Sequence, residues 1–112
     1  MAYDEALAER VRDELIGETG VTERKMFGGL GFMVDTRMAV AAGSGGDLMV
    51  RADPASAETW VDGATVRPMH MSGRPVRGWV LVAVDVLVDD AALATWVARG
   101  VSYARSLPPK SG

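Results

Sequence analysis

The chain opens on a rhythm of apolar and polar positions that places one kind of residue along one side of a helix. Leu7, Val11 and Leu15 recur at every fourth position, Ala8 and Ile16 widen the stripe, and acids and arginines fill the gaps. Such spacing predicts an amphipathic helix over residues 4–17. Asp4 and Glu5 suit the positive end of its dipole, and Gly17 or Gly20 offers a stop. Three short runs follow, "KMFGGLGFMV", "RMAVAAG" and "DLMVRAD", joined by Asp35-Thr36 and by Ser44-Gly45-Gly46. Runs this short with turn residues between them predict an antiparallel meander. Asp53-Pro54 reads as an N-cap and first helical position, opening a short helix through about Val61 that Asp62 and Gly63 end.

Residues 64–71 read as extended, because Pro68 removes a backbone donor and moves Arg67 out of the helical region; an edge strand is expected. "WVLVAVDV" from Trp79 is the strongest strand signal, rich in β-branched and aromatic residues. Asp89 or Asp90 starts a last helix, on which Leu93, Val97, Gly100, Val101 and Ala104 share a face and which Pro108 and Pro109 terminate. The predicted order is α-β-β-β-α-β-β-α with five strands. Grouping of this kind, without strict alternation, points to an α+β fold and one domain over residues 1–112, with 106–112 as a C-terminal tail. The last strand is apolar on both sides: Trp79, Leu81 and Ala83 face one way, Val80, Val82 and Val84 the other. Either a helix covers the second side too, or that side meets a partner, a homodimer being one expectation.

Composition narrows the function. At 112 residues, 48% apolar and 24% charged, the chain has ordinary globular usage and room for one core. No apolar run approaches the roughly 20 residues needed to cross a bilayer, and the acidic start does not resemble a secretory signal, so a cytoplasmic location is expected. The absence of cysteine removes thiol nucleophiles, disulfides and thiolate metal sites. The net charge of -3 disfavours phosphate backbones unless charges are sorted. They are sorted: residues 1–20 carry six acids beside Arg10 and Arg12, whereas residues 63–78 carry Arg67, Arg74 and Arg77 and no acid.

Gly28, Gly29 and Gly31 lie beside Arg24 and Lys25, which raises phosphate binding. A phosphate loop needs a helix after its glycines, and here Phe32, Met33 and Val34 continue as a strand. Strand glycines instead permit a bulge, a bend or the close approach of a neighbour such as a packed helix. In a functional version, bare backbone at Gly28 and Gly29, flanked by Arg24, Lys25 and Phe27, forms a docking position for another chain. The sole histidine, His70, has no metal-ligand spacing around it and is expected to face solvent. No cofactor or metal is expected, and the serines lack a nucleophile-elbow context. In "MSGRPVRGW", Arg74 and Arg77 flank Pro75 on an expected loop bracketed by Gly73 and Gly78; they could grip carboxylates or phosphates, or pair with Glu9, Asp13 or Glu14 of the first helix.

The segments "RKMFGGLGFMVDTRMAVAAG", "DLMVRADP", "VRPMHMSGRPVRGWV" and "SYARSLPPK" resemble, in order and spacing, the N-terminal domain of the TfoX/Sxy family, bacterial proteins linked to regulation of natural competence. The similarity spans about residues 5–110. It implies a two-layer α/β sandwich with an antiparallel sheet, and a non-enzymatic regulator that binds a protein partner such as the transcription machinery. Full competence regulators add a helical C-terminal domain, so activity housed in that half is not expected of these residues. The hairpin has Asp35-Thr36 where relatives often have Asp-Gly, which predicts a slightly longer connection. The candidate interaction surface comprises Arg24, Lys25, Phe27, Gly28, Gly29, Arg67, Arg74, Arg77 and Trp79. Two alternatives stand beside it: a nucleic-acid-contacting module using Arg67, Arg74 and Arg77, and a small-ligand domain whose pocket holds Arg67 and His70 together.

Overall fold

Helix α1 (Glu5–Glu14) starts at an Asp4 cap whose side chain accepts from the Leu7 amide. Leu7, Ala8, Val11 and Leu15 are buried as the stripe requires, but Ile16 falls past the C-cap and is 79% exposed. The computed structural model describes residues 3–108 other than Phe27, Ser44 and Ser72, and for Met26, Met71 and Pro75 the backbone alone. Its strands are β1 (Val21–Met26), β2 (Gly29–Val34), β3 (Arg37–Ala42), β4 (Leu48–Arg51), β5 (Val66–Met71) and β6 (Arg74–Val82). They form one antiparallel sheet in the order β1-β2-β3-β4-β6-β5. Helices α2 (Pro54–Trp60), α3 (Val84–Leu87) and α4 (Asp90–Ser106) are the other helices among the described residues.

The sheet therefore has six strands where five are expected. The added strand comes from Gly28, whose φ of +76° lets the chain reverse between the paired residues Met26 and Gly29. The single predicted run "KMFGGLGFMV" is thus split into a hairpin. Its first arm, "VTERKM", is a polar edge strand that hydrophobic patterning does not mark. The Asp35-Thr36 connection is also tighter than expected, since Val34 pairs directly with Arg37 and Asp35 itself takes φ +56°. Aspartate tolerates this left-handed geometry better than most residues. Strand β5 lies at the sheet edge, as Pro68 requires. The terminal valine expected on the last strand, Val84, instead begins α3, with Ala83 as its cap.

All four helices lie on one side of the sheet. Leu30, Phe32, Val34, Val40, Leu48, Val50, Val80 and Val82 are buried beneath them with Leu93, Val97, Val101 and Ala104 of α4. Gly100 is where the layers come closest: a Cβ there would stand 2.5 Å from the Ala39 carbonyl oxygen and 2.7 Å from a Val40 methyl. The close approach of a helix that the glycine-rich segment was expected to admit thus occurs at a glycine of the helix itself. At Gly31 the neighbour is the Met38 side chain.

Candidate functional site

Among the described residues no helix lies over the second side of the sheet. Cross-strand pairing puts Arg24 opposite Gly31, Thr22 opposite Met33, Met33 opposite Met38, Ala41 opposite Met49, Met49 opposite Leu81, Arg51 opposite Trp79 and Arg67 opposite Leu81. Side chains opposite one another share a face, so these residues form one surface. Its centre is apolar: Met33, Met38, Met49, Trp79 and Leu81 are half-buried, and the Met38 side chain lies over Gly31. Its margin is basic. The Arg51 guanidinium lies 5.6 Å from the Trp79 ring centroid, and Arg67 is ion-paired with Asp47. The acid at this margin is thereby taken up, while the Arg24 side chain makes no hydrogen bond or ion pair among the described residues.

Several expected site residues are placed differently. Arg24 and Lys25 alternate along β1, so Arg24 joins the uncovered face while Lys25, opposite Leu30, points to the helical side. Gly28 occupies the turn and Gly29 the start of β2; Phe27 lies outside the described residues. Arg74 and Arg77 are not on a loop: Met71 pairs with Arg74, so the turn is tight and both arginines belong to β6. Nor do they pair with α1. Glu9 is engaged by Arg12, which also reaches Glu23 of β1 at 2.6 Å, holding α1 over the other end of the sheet. Arg74 and Arg77 are exposed and without ion pairs among the described residues. Arg77 and Trp79 come together in an apolar groove of about 200 Å³ between α2 and the β5–β6 arm, lined also by Ala57, Val61, Pro68 and Val76. His70 is exposed. It lies beyond an irregularity in β5 from Arg67, and neither residue lines this groove.

No group of three or more His, Asp or Glu side chains able to hold a metal occurs among the described residues, and no helix there is long and apolar enough to cross a membrane. Two carboxyls are held below their ordinary range. Asp62 accepts from the Thr65 hydroxyl and from the Val66, Ala64 and Thr65 amides, and Glu23 accepts from Arg12. Both tie loops or layers together, the first closing the connection into β5. The uncovered methionines were absent from the expected site because their shared face depends on register, above all on the irregularity at Phe32/Met33. Alternation along one strand, Trp79 and Leu81 against Val80 and Val82, did reveal it.

A six-stranded antiparallel sheet with helices on one side defines an open-faced α+β sandwich. The model of the TfoX N-terminal domain matches residues 13–104, and the chain belongs to that family. Among curated proteins no match is found.

Proposed function

We propose that this domain is a non-enzymatic regulatory module that binds a protein partner through the uncovered sheet face. The observation that carries the reading is the composition of that face, methionine, tryptophan and leucine within a margin of Arg24, Arg51 and Arg67. Methionine adapts to a partner's shape, and tryptophan and arginine are the side chains that most often dominate binding energy. A basic margin selects a partner segment carrying acids beside apolar anchors. Arg77 and Trp79 also line the groove beside α2.

Photo-crosslinking in the native cell tests this. A crosslinking residue at position 81 is expected to give a discrete protein adduct that Arg24→Glu diminishes, and a crosslinker at the exposed position 16 is expected to give none. Equal labelling from both positions would overturn the reading. An adduct removed by nuclease would redirect it to nucleic acid contact through Arg67, Arg74 and Arg77.

A further inference from the structure

The helical layer carries a second arrangement, independent of the sheet face. Its other arginines are committed to acceptors: Arg10 to the Leu87 carbonyl and Asp90, Arg12 to Glu9 and Glu23, Arg105 to Glu18 and the Thr19 carbonyl. Arg99 is not. Its Cζ lies 4.7 Å from the Trp60 ring centroid and 4.6 Å from that of Trp96, in the notch between rings 5.5 Å apart and inclined at 87°. Ring contact attracts the guanidinium by its charge and uses up none of its five N–H donors. Among the described residues nothing accepts from it.

Thr95, Arg99, Ser102 and Ser106 fall at i, i+4, i+7 and i+11 along α4, a single line on the helix surface. This line forms one wall of a groove of about 550 Å³, and Asp53, Ser56 and Trp60 form the other. Most of its polar groups are engaged within the fold. The Asp53 carboxylate caps α2 by accepting from Ser56, the Thr95 hydroxyl donates to the Ala91 carbonyl, and the Ser106 hydroxyl to the Tyr103 carbonyl. What remains uncommitted among the described residues is the Arg99 fork with the Ser102 and Tyr103 hydroxyls. One oriented cation flanked by free hydroxyl donors is the donor set that an oxyanion requires.

We propose that the α2–α4 groove is a binding site for a small ligand bearing one oxyanionic group, a carboxylate or a phosphate, held by Arg99 with Ser102 and Tyr103. The negative charge of Asp53 on the facing wall selects against extended polyanions. A planar, weakly hydrated guanidinium seated between two rings loses less freedom on binding than the solvated arginines of the surface, which favours Arg99.

The test follows the tryptophan indole and arginine Nε–H resonances of the whole chain during titration with sodium phosphate and, separately, sodium acetate, against sodium chloride at equal ionic strength. Saturable shifts confined to Trp60, Trp96 and Arg99 are expected, with Trp79 unmoved. Arg99→Gln is expected to weaken binding at least about tenfold, the scale of a lost charge-assisted hydrogen bond. Arg99→Lys, which keeps the charge but loses the planar fork, is the second variant and is also expected to weaken it. Tighter phosphate binding assigns the site to phosphate esters and tighter acetate binding to carboxylates; either supports the proposal. Absence of saturation with both anions, or unchanged affinity in folded Arg99→Lys, overturns it.

Discussion

Two glycines separate geometry from tolerance at the level of single residues. Replacing Gly100 by alanine adds helix propensity worth about 1 kcal/mol, but the new methyl would meet backbone, the Ala39 carbonyl oxygen at 2.5 Å. Overpacking of that kind costs about 1–3 kcal/mol and at times more, so a net destabilisation is expected from chemical denaturation of Gly100→Ala. At Gly31 the obstruction is the Met38 methyl at 2.6 Å, the far end of a flexible side chain. Gly31→Ala is expected to stay within about 0.5 kcal/mol of the parent. Asp62 supports a prediction of a different kind. Its folded pKa is depressed from the ordinary 3.8 by the Thr65 hydroxyl and three backbone amides. A depressed carboxyl contributes stability that is complete well above the unfolded value and is lost as pH falls through the folded one. Stability followed by circular dichroism should therefore decline on acidification through the region of pH 3.8 and below, and Asp62→Ala should flatten that decline. Glu23, lowered by Arg12, acts in the same direction.

Among the elements, α4 organises the rest, packing on β2, β3 and β4 and meeting α1 and α3. Leu93, 1% exposed, lies on its inner face. Leu93→Ala is expected to lose about 2–5 kcal/mol by thermal or denaturant unfolding, whereas Ile16→Ser, past the end of α1, should change little. That contrast also marks how far the elements were legible. The buried stripe of α4, the Asp53-Pro54 start of α2 and the edge position of β5 all follow from local chemistry, because periodicity, caps and proline act within a few residues. Strand β1 was hidden because Thr22, Glu23, Arg24 and Lys25 carry no apolar alternation. Its pairing is decided by the turn at Gly28, and the Glu23–Arg12 ion pair fastens it to α1. The arginine segment departs from a loop for a related reason. Gly73 and Gly78 look like brackets of a loop, yet only Gly73 turns the chain; Gly78, at φ +85°, sits within β6, and its carbonyl oxygen accepts from the Ala52 amide. The methionine face and the Arg99 notch depend on register and on the meeting of α2 with α4, which no local pattern encodes.

For the molecule as a whole, the two layers carry opposite charge: the acids of α1 and of the α3–α4 junction lie on the helical side, and Arg24, Arg51 and Arg67 on the sheet side. Face-to-face pairing of two copies through the sheet would bring these arginine margins together, at a Coulombic cost that the apolar centre must exceed. A different protein with acids around its apolar anchors meets no such penalty. The chain alone is accordingly expected to be monomeric by light scattering across micromolar concentrations at physiological salt. Raising the salt screens the arginines over roughly 3 Å at 1 M, which should promote self-association through the apolar centre while weakening a complex with an acidic partner. Leu81→Glu then discriminates between occupants. It should abolish the partner complex without altering the monomer mass, whereas a dimer at low salt that this substitution dissociates would identify the covering chain as a second copy and overturn the heterologous reading.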